Sequence, residues 1–302
     1  MENVKQIKKI DIHAHATPFP DYCPRNTKGE RNISVEELIG EYDHLGIEKG
    51  VLLPLTAAEG MLTPIPSETC KMMVDQYPDR FVWFCNVDPR AAGNHAGADL
   101  ANLLGWYKSL GAKGCGEITA NLYADDPKLD NLFSACEELD MPVLIHIGPI
   151  FGRSYGIVDD LGLPRIESIL KKHPNLKMIG HSTCFWCELS ADVTVEDRTR
   201  YVTGKVKEGR VAELLRDYEN LYCDLSAGSG HGAFMRDPAY TAKFVEEFSD
   251  RIMYGCDQFW LSNKVSYEFN NFLDKILDDG MISPENYGKI VRYNAAKLLD
   301  IK

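Results

Sequence analysis

Eight short apolar runs recur along this chain at a fairly even interval, and each is followed by a helical pattern. The runs cover residues 7–12, 50–55, 81–87, 112–118, 142–147, 176–179, 221–225 and 251–254. Most are nearly continuous in apolar residues rather than alternating, as parallel strands covered on both faces are. Helix signals fill the gaps. Ser34-Val35-Glu36-Glu37 is a capping box, and Gly46 closes the helix it opens. Ser67 caps a second helix that stops near Pro78, and Asp126-Pro127 starts another that runs to Leu139, with proline in the first turn. Helical spacing continues over 98–110, 164–173, 210–218, 240–248, 266–277 and 283–299. Eight strands, each followed by a helix, predict a (β/α)8 TIM barrel in a single domain spanning 1–302.

Two connections are too long for an ordinary loop and distort that pattern. One is 16–33, rich in Pro, Asn and Gly; the other is 185–209, with β-like pieces at 192–195 and 201–206. Both follow strand C-termini, which places them as lids or walls on the catalytic face of a barrel.

A barrel gathers the C-terminal ends of its strands at one mouth. His13 and His15 stand at the end of the first run, Glu117 at the fourth, His146 at the fifth, His181 at the sixth, Asp224 at the seventh and Asp257 at the eighth. On a regular strand His13 and His15 share one face, with Ile12 and Ala14 on the other. The chain has 8 histidines, and four of them fall at these ends. His44 falls within a helix, His95 in a polar loop, and His173 in a last helical turn, where a cation suits the dipole.

Imidazoles and carboxylates are the ligands of a catalytic divalent ion that keeps a position open for water. Such an ion lowers the pKa of that water to near neutrality. Asp257 can accept the proton, and Asp224 can orient a ligand histidine from behind. The expected cofactor is therefore a divalent metal, zinc for choice, as one or two ions.

The formal charge of −12 argues against a nucleic-acid groove or an anionic membrane surface. No apolar run approaches the ~20 residues of a membrane span, and the polar N-terminal stretch has no signal-peptide core. Nine scattered cysteines predict a reducing cytoplasm rather than a disulfide framework. Cys184-x-x-Cys187 has no second CxxC to complete a zinc site. The expected partner is a small-molecule substrate. Self-association into a homo-oligomer is compatible with the sequence.

The motifs Asp11-Ile12-His13-Ala14-His15, Leu144-Ile145-His146, Ile179-Gly180-His181 and Tyr254-Gly255-Cys256-Asp257 resemble the amidohydrolase superfamily, in its amidohydrolase-related (amidohydrolase 2) branch. Tyr293-Asn294-Ala295-Ala296-Lys297-Leu298-Leu299 is similar to that family's last helix. The resemblance implies a metal-dependent hydrolase or a non-oxidative decarboxylase. It implies metal positions at His13, His15, His146 and Asp257, and at His181 either a second metal ligand or a catalytic residue. Many relatives carry a carboxylated lysine at the fourth strand. Here Lys113 falls early in the run and Glu117 ends it, so Glu117 is the candidate bridge between two ions.

The leading expectation is a hydrolase of a C–N or ester/lactone bond; the alternative is a decarboxylase of a small, possibly aromatic, carboxylic acid. A phosphoesterase would want clustered Lys and Arg, which the chain lacks, and a non-catalytic barrel would want a defective ligand set. Candidate substrate contacts are Arg153 and Tyr155 after the fifth run, Trp186 after His181, and His231 and Arg236 after the seventh. An arginine there can hold a substrate carboxylate in a bidentate pair.

Overall fold

The computed structural model describes residues 4–59 and 63–301, so the first residues of the polar N-terminal stretch lie outside it. Among the described residues nine strands form: β1 (Lys9–Ala14), β2 (Ile47–Leu52), β3 (Phe81–Trp83), β4 (Cys115–Ile118), β5 (Val143–Gly148), β6 (Ile157–Val158), β7 (Met178–His181), β8 (Leu221–Asp224) and β9 (Ile252–Met253). All except β6 correspond to the eight apolar runs.

Every strand pairing is parallel, in the orders β1-β2-β3 and β4-β5-β7-β8-β9, and short β6 pairs with β5. Single bridges join these two sheets: Cys85 to Cys115 after β3, and Ala14 to Gln258 beyond β9. Ile12 N–H also donates to the Tyr254 carbonyl at 3.0 Å. The eight long-range strands therefore close into a distorted TIM barrel.

Two apolar layers explain why the strands read as continuous runs. Ile10, Ile12, Val51, Leu53, Phe84, Leu144, Ile179 and Met253 fill the barrel interior together with Ala295 and Leu299 of the last helix. Their neighbours Leu52, Trp83, Ile145, Met178 and Cys223 face outward into the larger layer under the helices. The period of two is present but masked, because both faces are buried.

Strand β1 departs from regular alternation. Its pairing with β2 shifts register between Asp11 and Ala14. Ile12 lies in the inner cluster with Ile10, whereas Ala14 joins the outer one, so these two do not share a face. The irregularity lets Ile12 fill the barrel while His13, one residue on, also reaches the interior.

The helices follow their local signals closely. Ser34 and Glu37 form the capping box of Val35–Leu45, and Gly46 takes the left-handed φ of 71° that ends it. The helix Ser67–Gln76 is not capped by Ser67; Pro66 is the N-cap, and the Ser67 hydroxyl donates to the Asn86 carbonyl instead. Two further helices, Thr183–Cys187 and Ala227–Met235, were not expected. The second reads Ala-Gly-Ser-Gly-His-Gly, poor in helix propensity, and is set by its packing. The last helical stretch is interrupted by a π turn at Lys289–Tyr293.

The segment 185–209 carries no strand at 192–195 or 201–206. A 3-10 turn, Glu196–Thr199, occupies its middle. It is held by the Ser190–Glu208 bridge and by the Cys184 thiol, which donates to the Arg198 carbonyl at 3.2 Å. Cys187 is buried beside it, its thiol turned to the Cys184 carbonyl. All nine cysteines are free thiols. Among the described residues no helix is long and apolar enough to cross a membrane.

Candidate metal centre

The strand ends bring six of the expected residues to one place. His13 and His15 come from β1, Glu117 from β4, His146 from β5, His181 from β7, and Asp257 from just beyond β9. The alternation within strands does this: Leu144 and Ile179 point into the barrel, so His146 and His181, two residues on, point the same way.

The hydrogen bonds behind the rings decide which nitrogens face forward. His15 Nδ1 donates to the Leu53 carbonyl at 2.9 Å, which leaves Nε2 bare. His13 Nδ1 and His181 Nδ1 both face Asp224 Oδ2, at 2.7 and 3.0 Å. The Ser226 hydroxyl donates to the same oxygen at 2.7 Å, and Ser226 N–H to Oδ1 at 2.8 Å. Burial raises the pKa of Asp224, but His181 and His13 outweigh it and hold this carboxyl far below its usual range. Asp224 is thus an orienting residue that fixes two imidazoles at once.

Two bare nitrogens then meet. His13 Nε2 lies 3.0 Å from His15 Nε2, with each ring's proton on the far side. Facing lone pairs at that distance repel unless a cation or proton stands between them. Glu117 Oε2 lies 3.5 and 3.3 Å from these nitrogens, and Asp257 Oδ1 lies 3.5 and 3.6 Å from them. Ligands held ~2.0–2.2 Å from an ion at tetrahedral angles stand about 3.3–3.6 Å apart. The donor set therefore fits a divalent ion.

The other oxygen of Glu117 faces a second group. Oε1 is 2.6 Å from His146 Nδ1 and 3.9 Å from His181 Nε2. Burial raises the Glu117 pKa, yet His13 and His146 pull it well below the carboxylate norm. Burial works against charge on His13 too, but Asp257, Asp224 and Glu117 hold that imidazole well above its ordinary value, so the negative field that favours a cation between the two Nε2 atoms equally favours a proton there. His146 shifts down, chiefly by burial.

A cavity of about 630 Å³ opens onto His15, Glu117, His146 and Asp257. Tyr155, Tyr201, Phe259 and Trp260 give it aromatic walls. The Tyr155 ring lies 4.4 Å from His146, centroid to centroid, and its hydroxyl pKa is raised by burial. Tyr201 rests on Gly228, where an added Cβ would come within 2.7 Å of its ring. Phe259 and Trp260 went unnoticed in the sequence, although they stand only two and three residues after Asp257. Tyr201 belongs to a segment whose path nothing local specifies.

The other candidate contacts lie elsewhere. Arg153 is exposed and does not line the cavity. Trp186 is buried behind it, its Nε1 donating to the Asp224 carbonyl at 2.8 Å. His231 is buried with Nε2 donating to the Gly255 carbonyl at 2.9 Å and its ring stacked on Phe269. It braces the segment that carries Asp257. Arg236 faces a separate cavity.

Residues 203–301 match the family model for amidohydrolases (Amidohydro_2). The match covers the C-terminal third of the chain, from the segment before β8 through the last helix, and includes Asp224 and Asp257. Solved structures share its fold over nearly the full length. An uncharacterized TIM-barrel protein from Bordetella bronchiseptica superposes with a TM-score of 0.65 at 18% identity, covering 98% of this chain and 99% of that one. A 5-carboxyvanillate decarboxylase from Sphingomonas paucimobilis gives 0.62 at 18% identity, with 98% and 100% covered. A probable 2-pyrone-4,6-dicarboxylic acid hydrolase from Acinetobacter baumannii, with citric acid bound, gives 0.59 at 15% identity, with 97% and 100% covered. No curated protein matches the sequence.

Proposed function

We propose that this chain is a metal-dependent hydrolase of the amidohydrolase type that cleaves a C–N or ester/lactone bond of a small molecule. The observation that carries the reading is the Glu117 carboxylate, whose two oxygens each face a different group of histidines. His13, His15 and Asp257 would hold one ion, zinc for choice, and His146 and His181 a second, with Glu117 between them. Bound there, such ions polarise a carbonyl and bring the pKa of a water toward neutrality.

The chain's own residues do the rest. Asp257 has the most exposed side chain of the cluster, at 25% against 16% for His146, and it borders the cavity. Its carboxylate takes the proton of the attacking water and returns it to the leaving nitrogen or oxygen. The Asp224–Ser226 pair holds His13 and His181 in the one tautomer that aims Nε2 forward. The aromatic walls pack the substrate's apolar part and exclude water.

A second reading, a non-oxidative decarboxylase, is favoured by one distance. His181 Nε2 stands 3.8 Å from Asp257 and 3.9 Å from Glu117, farther than His13 or His15 stands from either carboxylate. With a single ion, His181 would be free to carry a proton to the substrate carbon. Metal analysis of protein purified without chelator separates the two. Two equivalents, falling to one in Glu117→Gln with loss of turnover on amides and lactones, is the expected result. One equivalent that added zinc or manganese cannot raise, with turnover of aromatic acids intact, would overturn it in favour of decarboxylation.

A further inference from the structure

Arg236 sits at the C-terminal end of the helix Ala227–Met235, and all three of its guanidinium nitrogens are buried without a hydrogen-bond partner among the described residues. An unpaired buried guanidinium is costly, and an arginine fork is shaped for an oxyanion. The carboxylates whose charge acts on it, Asp192 and Asp237, are already engaged. Asp192 takes Lys207 at 3.1 Å and the Ser190 hydroxyl at 2.9 Å. Asp237 takes Lys205 at 3.0 Å and the Val206 N–H at 3.1 Å. The Tyr240 hydroxyl, also buried without a partner, is near enough to interact electrostatically with Arg236.

Arg236 borders a cavity of about 390 Å³ that it shares with Arg200 and Lys205, three cations against the two carboxylates Asp192 and Asp197. Asp197 is itself paired with Arg200 and accepts the Thr194 N–H. This cavity is distinct from the catalytic one. The crevice between them, beside Trp186 and Tyr201, holds only about 10 Å³, too little for a substrate to thread. Tyr201 borders all three spaces.

We infer that the cavity at Arg236 is a binding site for a small free oxyanion such as inorganic phosphate, with the Arg236 guanidinium as its principal donor. The occupant completes the missing hydrogen bonds of Arg236. It also fixes the segment around Tyr201, and with it one wall of the catalytic cavity. The inference is independent of which reaction the metal centre performs.

The test is calorimetric titration of the purified protein with inorganic phosphate at constant ionic strength, paired with thermal melts against matched chloride. The expected result is saturable binding in the millimolar range or tighter. At about 100-fold over Kd, Tm rises by about 5 °C. Arg236→Met should lose both responses while melting, without anion, at least as high as the wild type, because it removes an unpaired buried charge. Phosphate held at the metal centre instead would persist in Arg236→Met, and an undiminished response there overturns the inference, as does absence of saturable binding to the wild type. If Arg236→Met does not fold, Arg236→Lys serves: charge without the fork should bind phosphate at least tenfold more weakly, and unchanged affinity counts against the site.

Discussion

The inside of this barrel has two ends built on opposite principles from the same strands. At the foot, Ile10, Val51, Phe84, Leu144 and Met253 form a dry, uncharged plug. At the mouth, one or two pleats further along, the same inward face carries four imidazoles and three carboxylates, nearly all buried. The foot gains stability from burial alone. The mouth spends part of that stability on charges that only each other, and a cation, can satisfy. A barrel can afford such a mouth because the foot is apolar, and the division falls between residues only two apart, such as Leu144 and His146.

The largest test of this contrast is Asp257→Asn. The amide still offers an oxygen to a metal but cannot take a proton, so turnover should fall ~10²–10⁴-fold while the melting temperature barely changes. Near-normal kcat in this variant would remove Asp257 from the proton-transfer role. Leu144→Ala is the matching cut at the foot. It should cost about 2–5 kcal/mol in a denaturant titration and leave kcat per folded molecule nearly intact. A large drop in kcat at unchanged stability would mean that the two ends are not separable.

His231 sharpens the comparison through pH. Burial pushes its imidazole down to about 4, against 6.5 for the free group. Between these values the unfolded chain binds a proton that the folded protein refuses, so stability falls as pH drops from 6.5 toward 4. His231→Phe, which keeps the stacking on Phe269, should remove up to about 3 kcal/mol of that dependence. Denaturant curves at several pH values would show it; an unchanged slope would mean that His231 is charged in the fold. The smallest expected effect is that of Gly228→Ala. Its methyl would displace the Tyr201 ring. KM should rise several-fold while kcat and Tm hold, and steady-state kinetics with any turned-over substrate would detect it.

Much of this was legible residue by residue. The eight apolar runs become the eight barrel strands, and the capping box at Ser34 and the glycine at 46 end up where local rules put them. His13, His15, Glu117, His146, His181 and Asp257 share one mouth because residues at strand C-termini must, once the strands are parallel and the sheet is closed. Other features were not legible. The helix Ala227–Met235 contradicts its own propensity, and the β-like pieces of 185–209 found no strand to pair with.

The chain alone therefore determined what depends on near neighbours: the strand periods, the helix ends, and which residue closes each strand. The tertiary structure decided what depends on meeting. The shift in β1 that brings Ile12 and His13 both inward arises from pairing with β2, more than thirty residues away. Asp224 could be placed at a strand end from sequence, but that one carboxylate holds both His13 and His181 became visible only when 211 residues of separation had been closed to 2.7 Å. Arg236 makes the same point from the other side. Its type suggested a substrate contact, but only the packed position of Tyr201 and Trp186 assigns it to a different cavity, because side-chain chemistry is local and enclosure is not.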